Sequence, residues 1–428
     1  MGKTTIMYAI ISILLKQKLN KRALVISPIK PMLNVWPKQK NSWKEFFHLR
    51  VGVAHGKLRV SVLQDPNLDI VVVNPEGLEW MEDHEKYIKD NFDILCVDES
   101  TKFKNTNSQR FKRLKKLVKN FKRRYILTGS FTPQGLLDLF GQVYILDEGG
   151  SLGRYITHYK TKYFYPTDYM GYNLSPHPWA AEEIARKIAP LTLVLEREGN
   201  VAMPELLPPN DILVELPPAV VPKYQSMERD MLLKLESEGF AAAANAAVAT
   251  SKCRQIANGF IFTGVEDDWE DMHDAKLDAL EDLIDQLSGE PLLVIYEFKP
   301  DLAKLQTRFP TATLLTTGNA KKDDAAITLF GTGAVQVALA QVTSISLGID
   351  GLQNSCSNVC MYSLTWNLEA YSQTIDRVWR PGQKSAVVSV HRIIMKDTVD
   401  ERVLSVLGRK DATQTSFLSL LRTMRESL

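Results

Sequence analysis

Four short stretches in the first half of the chain are apolar at nearly every position. They are residues 23–26 (Ala-Leu-Val-Ile), 70–73 (Ile-Val-Val-Val), 94–97 (Ile-Leu-Cys-Val) and 125–127 (Tyr-Ile-Leu). Runs without alternation belong to parallel strands covered on both faces by helices. Each run stops in polar or turn-forming residues: Ser27-Pro28, Asn74-Pro75-Glu76, Asp98-Glu99-Ser100 and Thr128-Gly129-Ser130. Ligands of open α/β sheets bind at the carboxyl ends of the strands, so this punctuation predicts one functional edge. A second series repeats the pattern at 292–296, 312–315, 335–339, 359–362 and 387–390. Between the two series, 221–250 reads as helix, and 274–287 sets Leu277, Leu280, Leu283, Ile284 and Leu287 on one helical face. The expected architecture is α/β, two lobes of parallel sheet flanked by helices. Pro204, Pro208 and Pro209 place the boundary near Asn210, giving lobes at 1–209 and 210–428. An insertion is expected at about 147–203 in the first lobe, and a helical segment at about 221–290 in the second.

Composition adds bounds. A chain of 428 residues is too long for one ordinary core, which agrees with two lobes. With 45% hydrophobic and 24% charged residues it has the make-up of a soluble globular protein. Four scattered cysteines, Cys96, Cys253, Cys356 and Cys360, give neither a disulfide framework nor zinc-site spacing, and predict a reduced, cytoplasmic setting. Residues 6–15 are apolar, but the run is too short to span a bilayer and lacks the flanks of a secretion signal. It reads instead as a helix behind a phosphate-binding loop, and no membrane partner is expected.

The chemistry begins at that helix. Gly2-Lys3-Thr4-Thr5 has the form of the closing half of a phosphate loop. In such loops the Lys ammonium meets the β/γ-phosphates, the Thr hydroxyl ligates Mg²⁺ and the helix N-terminus faces the anion. The Asp98-Glu99 pair behind a buried strand suits a metal-holding carboxylate and a second one that positions water. Residues 102–124 hold eleven Lys/Arg and no acidic residue, with Phe111, Leu114, Leu117, Val118 and Phe121 at helical spacing. Such a one-signed face fits either solvent or phosphate. Aromatic and basic residues interleave from Tyr155 to Tyr172, fitting either a small core of their own or stacking on nucleic acid. Late in the chain, Gln373, Arg377 and Arg380 recur at i, i+4 and i+7, predicting one helical face aimed at a triphosphate.

Together these stretches resemble the SWI/SNF-like branch of the superfamily-two helicase-related ATPases, in the compact form carried by bacteriophages and prophages. Gly2-Lys3-Thr4 is similar to motif I, Ser27-Pro28 to motif Ia, Asp98-Glu99-Ser100-Thr101 to motif II and residues 127–135 to motif III. Residues 293–298 match motif IV, 346–353 motif V, and Trp366-Asn367 with Gln373-Thr-Ile-Asp-Arg-Val-Trp-Arg-Pro-Gly-Gln383 motif VI. The last pattern is the branch's own signature. Residues 152–164 and 272–277 also look like the phage versions.

The resemblance implies two RecA-like lobes with ATP between them and a DNA-stimulated ATPase that translocates on duplex or branched DNA. Gly2, Lys3, Thr4 and Thr5 would bind ATP, Thr4 and Asp98 would hold Mg²⁺, and Glu99 would position the water. Arg377 and Arg380 would reach over from the second lobe, and Gln373 would couple nucleotide to DNA. Expected DNA contacts are Ser27, Lys30, Thr128, Ser344, Lys112, Lys116 and Lys119. Several positions depart from the pattern. The glycines and strand that ought to precede motif I are missing, so the first lobe is expected to lack its N-terminal strand through truncation. Ser100-Thr101 replaces Ala-His, Phe131 replaces Pro, Ser346 stands for Gly and Asp350 for Asn. Two other readings stay open: a motor subunit of a restriction or recombination assembly, and a non-catalytic DNA-binding module.

Overall fold

The computed structural model describes residues 2–168, 173–195, 202–236, 240–265, 268–345 and 351–426. It divides into two compact units, residues 1–195 with 410–428, and residues 196–409.

The first unit is built on strands β1 (Ala23–Ile26), β2 (Val51–Val53), β3 (Ile70–Val73), β4 (Ile94–Asp98) and β5 (Arg123–Leu127). They form one all-parallel sheet in the order β2-β3-β1-β4-β5. The near-continuous apolar runs are explained by burial on both faces. Leu24, Ile26, Val71, Val73, Leu95 and Val97 enter one core with Ile88, Phe92, Phe111 and Leu114. Their neighbours Ala23, Val25, Ile70, Val72, Ile94 and Cys96 point the other way, onto Met7, Tyr8, Ile11 and Trp36. Alternate residues of a strand face opposite sides, so both halves of every run are occupied. The helix Lys3–Lys16 supplies Met7, Tyr8, Ile11 and Leu14 at spacings of three or four, which accounts for its apolar sequence.

Residues behind β5 add a satellite core to the same unit. Tyr159, Tyr163 and Phe164 pack with Leu136, Phe140, Ile184 and Ile188, and the last helix of the chain contributes Phe417 and Leu421. An antiparallel hairpin of β6 (Phe164–Pro166) and β7 (Leu174–Pro176) projects from this core. Tyr169 and Tyr172, counted with the aromatic stretch, lie outside the described residues.

The second unit starts with β8 (Glu205–Leu206) and β9 (Asn210–Val214), followed by helices Val221–Glu236 and Phe240–Ala257. A small ladder of β10 (Phe260–Phe262) and β11 (Trp269–Asp271) comes next. The main strands are β12 (Leu292–Tyr296), β13 (Thr313–Leu314), β14 (Val337–Gln341), β15 (Asn358–Met361) and β16 (Val387–Met395). All pairings in this sheet are parallel, in the order β13-β14-β12-β15-β16, with β8 and β9 both paired to β16. Those two early pairings are why the second unit begins ahead of the prolines that were expected to mark its boundary. Lys276 is fully buried beneath this sheet and pairs with Asp400 at 2.6 Å and with Asn258 Oδ1 at 2.8 Å. A buried charge survives only with such compensation. Among the described residues no helix is long and apolar enough to cross a membrane.

Candidate nucleotide site

In the first unit the carboxyl end of β4 faces the start of the helix Lys3–Lys16. Gly2 caps that helix with φ 66°, a left-handed conformation glycine adopts at no steric cost, and its carbonyl accepts from Ile6 N at 2.8 Å. Lys3 Nζ lies 3.7 Å from Glu99 Oε1, with both side chains partly exposed. A methyl group added at Gly129, beyond β5, would sit 3.5 Å from the same ammonium. Motif I, motif II and the loop after β5 therefore converge on the Lys3 side chain. Thr4 and Thr5 are half-buried in the first turn, and Thr5 Oγ1 accepts from Gln39 Nε2 at 2.9 Å.

Asp98 is buried and held from three sides. Its Oδ2 accepts from Ser27 Oγ at 3.0 Å and from Trp36 Nε1 at 3.1 Å, and its Oδ1 from Glu99 N at 3.1 Å. Burial pushes its carboxyl above the usual range and the Glu99 charge adds to this, while Lys3 and the Trp36 and Ser27 hydrogen bonds pull it back. Glu99 turns the chain sharply with φ 51°, a conformation that costs a non-glycine residue roughly 1–2 kcal/mol. Its Oε2 is buried with no hydrogen-bond partner among the described residues. A buried, orphaned acceptor beside an ammonium and a second carboxylate is what a metal-bound triphosphate and its attacking water would complete, so the donor set fits Mg²⁺ and ATP.

The next residue links motif II to motif III. Ser100 Oγ donates to Gln142 Oε1 at 2.7 Å, and Gln142 Nε2 donates to the Phe131 and Asp138 carbonyls, both at 2.9 Å. Gly141 makes this approach feasible, because a Cβ there would come within 2.4 Å of the Phe103 carbonyl oxygen. Ser130 Oγ in turn donates to Gln414 Oε1 on the terminal helix. Sequence reading missed Trp36 and Gln142. Trp36 left no local trace, but Gln142 did: it is the one amide in the helix Leu139–Asp147, whose other residues up to Leu146 are apolar, glycine or tyrosine.

The second unit carries the motif VI residues, and here the helical expectation is corrected. The helix spans Leu368–Ile375, capped by the Asn367 side chain on Ala370 N at 3.3 Å, and holds Gln373, whose amide donates to Glu369 Oε1 at 3.2 Å. Arg377 and Arg380 lie beyond it in a turn, so the three do not share a helical face. Pro381 restricts residue 380 away from helical geometry. The turn is held instead by Trp379 Nε1 on the Pro204 carbonyl at 2.9 Å and by Gln383 Nε2 on the Cys356 and Val378 carbonyls. Of the motif V stretch, residues 346–350 lie outside the described residues.

The expected DNA-contact residues divide. Ser27 is fully buried and spends its hydroxyl on Asp98, so it belongs to the carboxylate's support and not to a DNA surface. Thr128 Oγ1 donates to the Ser130 carbonyl at 2.6 Å and accepts from Ser130 N at 3.1 Å, shaping the loop after β5. Ser344 donates to Gln341 Oε1 at 3.3 Å. Lys30 is half-buried, and Lys112 is exposed. The one-signed face of the helix Gln109–Leu117 is also corrected, because the turn Pro75–Gly77 and helices Leu78–Glu82 and Glu85–Asn91 supply the missing sign. Arg110–Glu76 (2.6 Å), Arg113–Glu79 (2.8 Å), Lys116–Glu82 (3.0 Å) and Lys119–Glu85 (3.6 Å) form a ladder in which both charges recur every three residues.

The chain matches the SNF2-related domain over residues 1–176 and the helicase conserved C-terminal domain over residues 275–382. It is 30% identical to protein p41 of Acyrthosiphon pisum secondary endosymbiont phage 1, across 99% of this chain and 93% of that protein. It is 23% identical to the Xenopus laevis SWI/SNF-related matrix-associated actin-dependent regulator of chromatin subfamily A-like protein 1, over 90% of this chain and 40% of that one. An uncharacterised ATP-dependent helicase of Mycoplasma genitalium is also 23% identical, over 96% of this chain and 38% of its own length. Among solved structures, the Sulfolobus solfataricus SWI2/SNF2 ATPase core in complex with dsDNA is 21% identical, with a TM-score of 0.42 over 98% of this chain and 86% of that one. The near-full-length phage relative and the two matched domains, in the order of the two α/β units, show that the chain belongs to the SNF2-related family of helicase-like ATPases.

Proposed function

We propose that this chain is a DNA-stimulated ATPase that uses hydrolysis to translocate on duplex DNA. The observation that carries the reading is the cluster at the end of β4: Lys3 beside Glu99, the buried Asp98, and a Glu99 oxygen with no partner of its own. Lys3 binds the terminal phosphates as a point charge, and the amides at the start of its helix add a favourable dipole. Thr4 and Asp98 would hold Mg²⁺, which when bound neutralises the β/γ-phosphate charge. Glu99 orients the attacking water and accepts its proton through the carboxylate that the left-handed turn presents. Arg377 and Arg380 are assigned to charge stabilisation on the transferred phosphoryl group, and Gln373 to coupling. Lys30, Thr128, Ser344 and Lys112 remain the proposed DNA contacts.

Steady-state ATP hydrolysis with and without duplex DNA tests this, using the wild type, Lys3→Ala and Glu99→Gln. Stimulation by DNA in the wild type and a loss of roughly 100-fold or more in each variant are expected. Hydrolysis that ignores both DNA and the substitutions would overturn the proposal.

A further inference from the structure

The aromatic stretch behind β5 splits between two fates. Tyr159, Tyr163 and Phe164 are buried in the satellite core. Tyr165 on β6 and Trp179 just after β7 are 43% and 45% exposed, and His177 lies between them. The His177 ring is 5.2 Å from that of Tyr165 and 5.4 Å from that of Trp179, the latter pair within 7° of parallel. Tyr165 is tilted by 43° from His177, so the three rings form a half-exposed shelf with one parallel pair and one inclined edge. Trp179 also meets the buried Tyr163 ring at 5.8 Å, whereas Tyr165 lies outside the satellite core.

Cations border this shelf. Lys162 and Lys187 lie 5.0 and 6.0 Å from the centroid of the Tyr163 ring, which is itself 5.8 Å from that of Trp179. The nearby carboxylate of Glu183 is already engaged by Lys162 at 2.7 Å, by Tyr163 Oη at 3.1 Å and by Lys187 at 3.7 Å. Flat π-surfaces bordered by cations complement a polyanion that carries π-faces of its own. An intact duplex hides those faces inside its stack, whereas an unpaired strand presents them.

We propose that the Tyr165–His177–Trp179 shelf is a stacking site for an unpaired base, so that the protein favours DNA with a single-stranded arm over blunt duplex. The inference rests on the DNA-motor reading only for the source of the strand. The shelf adds a sequence-tolerant contact, because every base has a π-face.

Fluorescence anisotropy on the full chain without nucleotide tests it. The probes are a labelled single strand, a fork with one unpaired arm, and a blunt duplex of equal length. Trp179→Ala should weaken single-strand and fork binding by roughly ten-fold, as expected for the loss of one stacked base, and leave blunt duplex unchanged. Trp179→Phe should keep most of the affinity. Tyr165→Ala gives a second variant, at a side chain outside the satellite core, and it should show the same selective loss. Unchanged affinities for all three probes in both Ala variants would overturn the proposal, as would equal losses on all three. Hydrolysis stimulated by blunt duplex, measured in parallel, separates the two readings. Stimulation with unaltered binding sinks the shelf alone, and selective loss without stimulation sinks the motor alone.

Discussion

Asp98 illustrates how one carboxylate is tuned by groups far apart in sequence. Burial and the adjoining Glu99 raise its pKa, while Lys3, Trp36 and Ser27 oppose them. Ser27→Ala removes one hydrogen bond to the ionised form and leaves the fold's apolar core intact, so the Asp98 pKa must rise further. In the proposed function Asp98 must be ionised to hold Mg²⁺, so activity would then begin only at higher pH. The acid limb of the rate–pH profile should move to higher pH, with the alkaline plateau little changed. An unmoved profile combined with weaker DNA binding would return Ser27 to the DNA surface. Asp98, Glu99 and Lys3 were legible because strand, turn and helix start are local patterns. The hydroxyl of Ser27 was read as a surface contact because its partner lies 71 residues away, and nothing local records that pairing.

Among the elements, the helix Gln109–Leu117 shows what a charge count along one segment cannot say. Its apolar face was readable from spacing, and Phe111, Leu114 and Leu117 are indeed buried. Its basic face looked unbalanced because the balancing acids belong to earlier helices that only the folded sheet brings alongside. Exposed pairs of this kind contribute roughly 0–1 kcal/mol each and are screened by salt. Lys116→Ala combined with Lys119→Ala should therefore lower stability by only about 1 kcal/mol. It should also leave the salt dependence of DNA affinity nearly unaltered, since these cations are already neutralised. Lys112→Ala should reduce the slope of log K against log salt by about one, the signature of one lost phosphate contact. Chemical denaturation and a salt titration of binding measure both. The motif VI helix makes the opposite point: periodicity carried the expected face past Ile375, where the backbone had already turned toward Pro381.

At the scale of the whole molecule, the final helix Val399–Glu426 takes part in both units. Val403 and Leu407 belong to a core of the second, and Phe417 and Leu421 to the satellite core of the first. No motif marks this stretch in the sequence, and apolar periodicity would name a buried face without naming what buries it. In the first unit the helix does more than fill space. Gln414 accepts from Ser130 in the loop after β5, and Arg425 donates to the Thr192 and Ala189 carbonyls. Phe417 is 2% exposed, so Phe417→Ala should cost the first unit about 3–5 kcal/mol through lost burial and a residual cavity. The second unit keeps its own core and should be insensitive. Calorimetry together with limited proteolysis resolves the two, because cleavage should rise within 1–195 and not within 196–409. Gln414→Ala removes the hydrogen bond without opening a cavity, and should leave the unfolding profile nearly as it was. If the loop after β5 owes its position beside Lys3 to that bond, Gln414→Ala should slow hydrolysis at saturating ATP several-fold. A variant that hydrolyses ATP normally would confine the terminal helix to packing, and the loop would then be held from within by Thr128, by Gln142 and by Asp138 on Gln134 N.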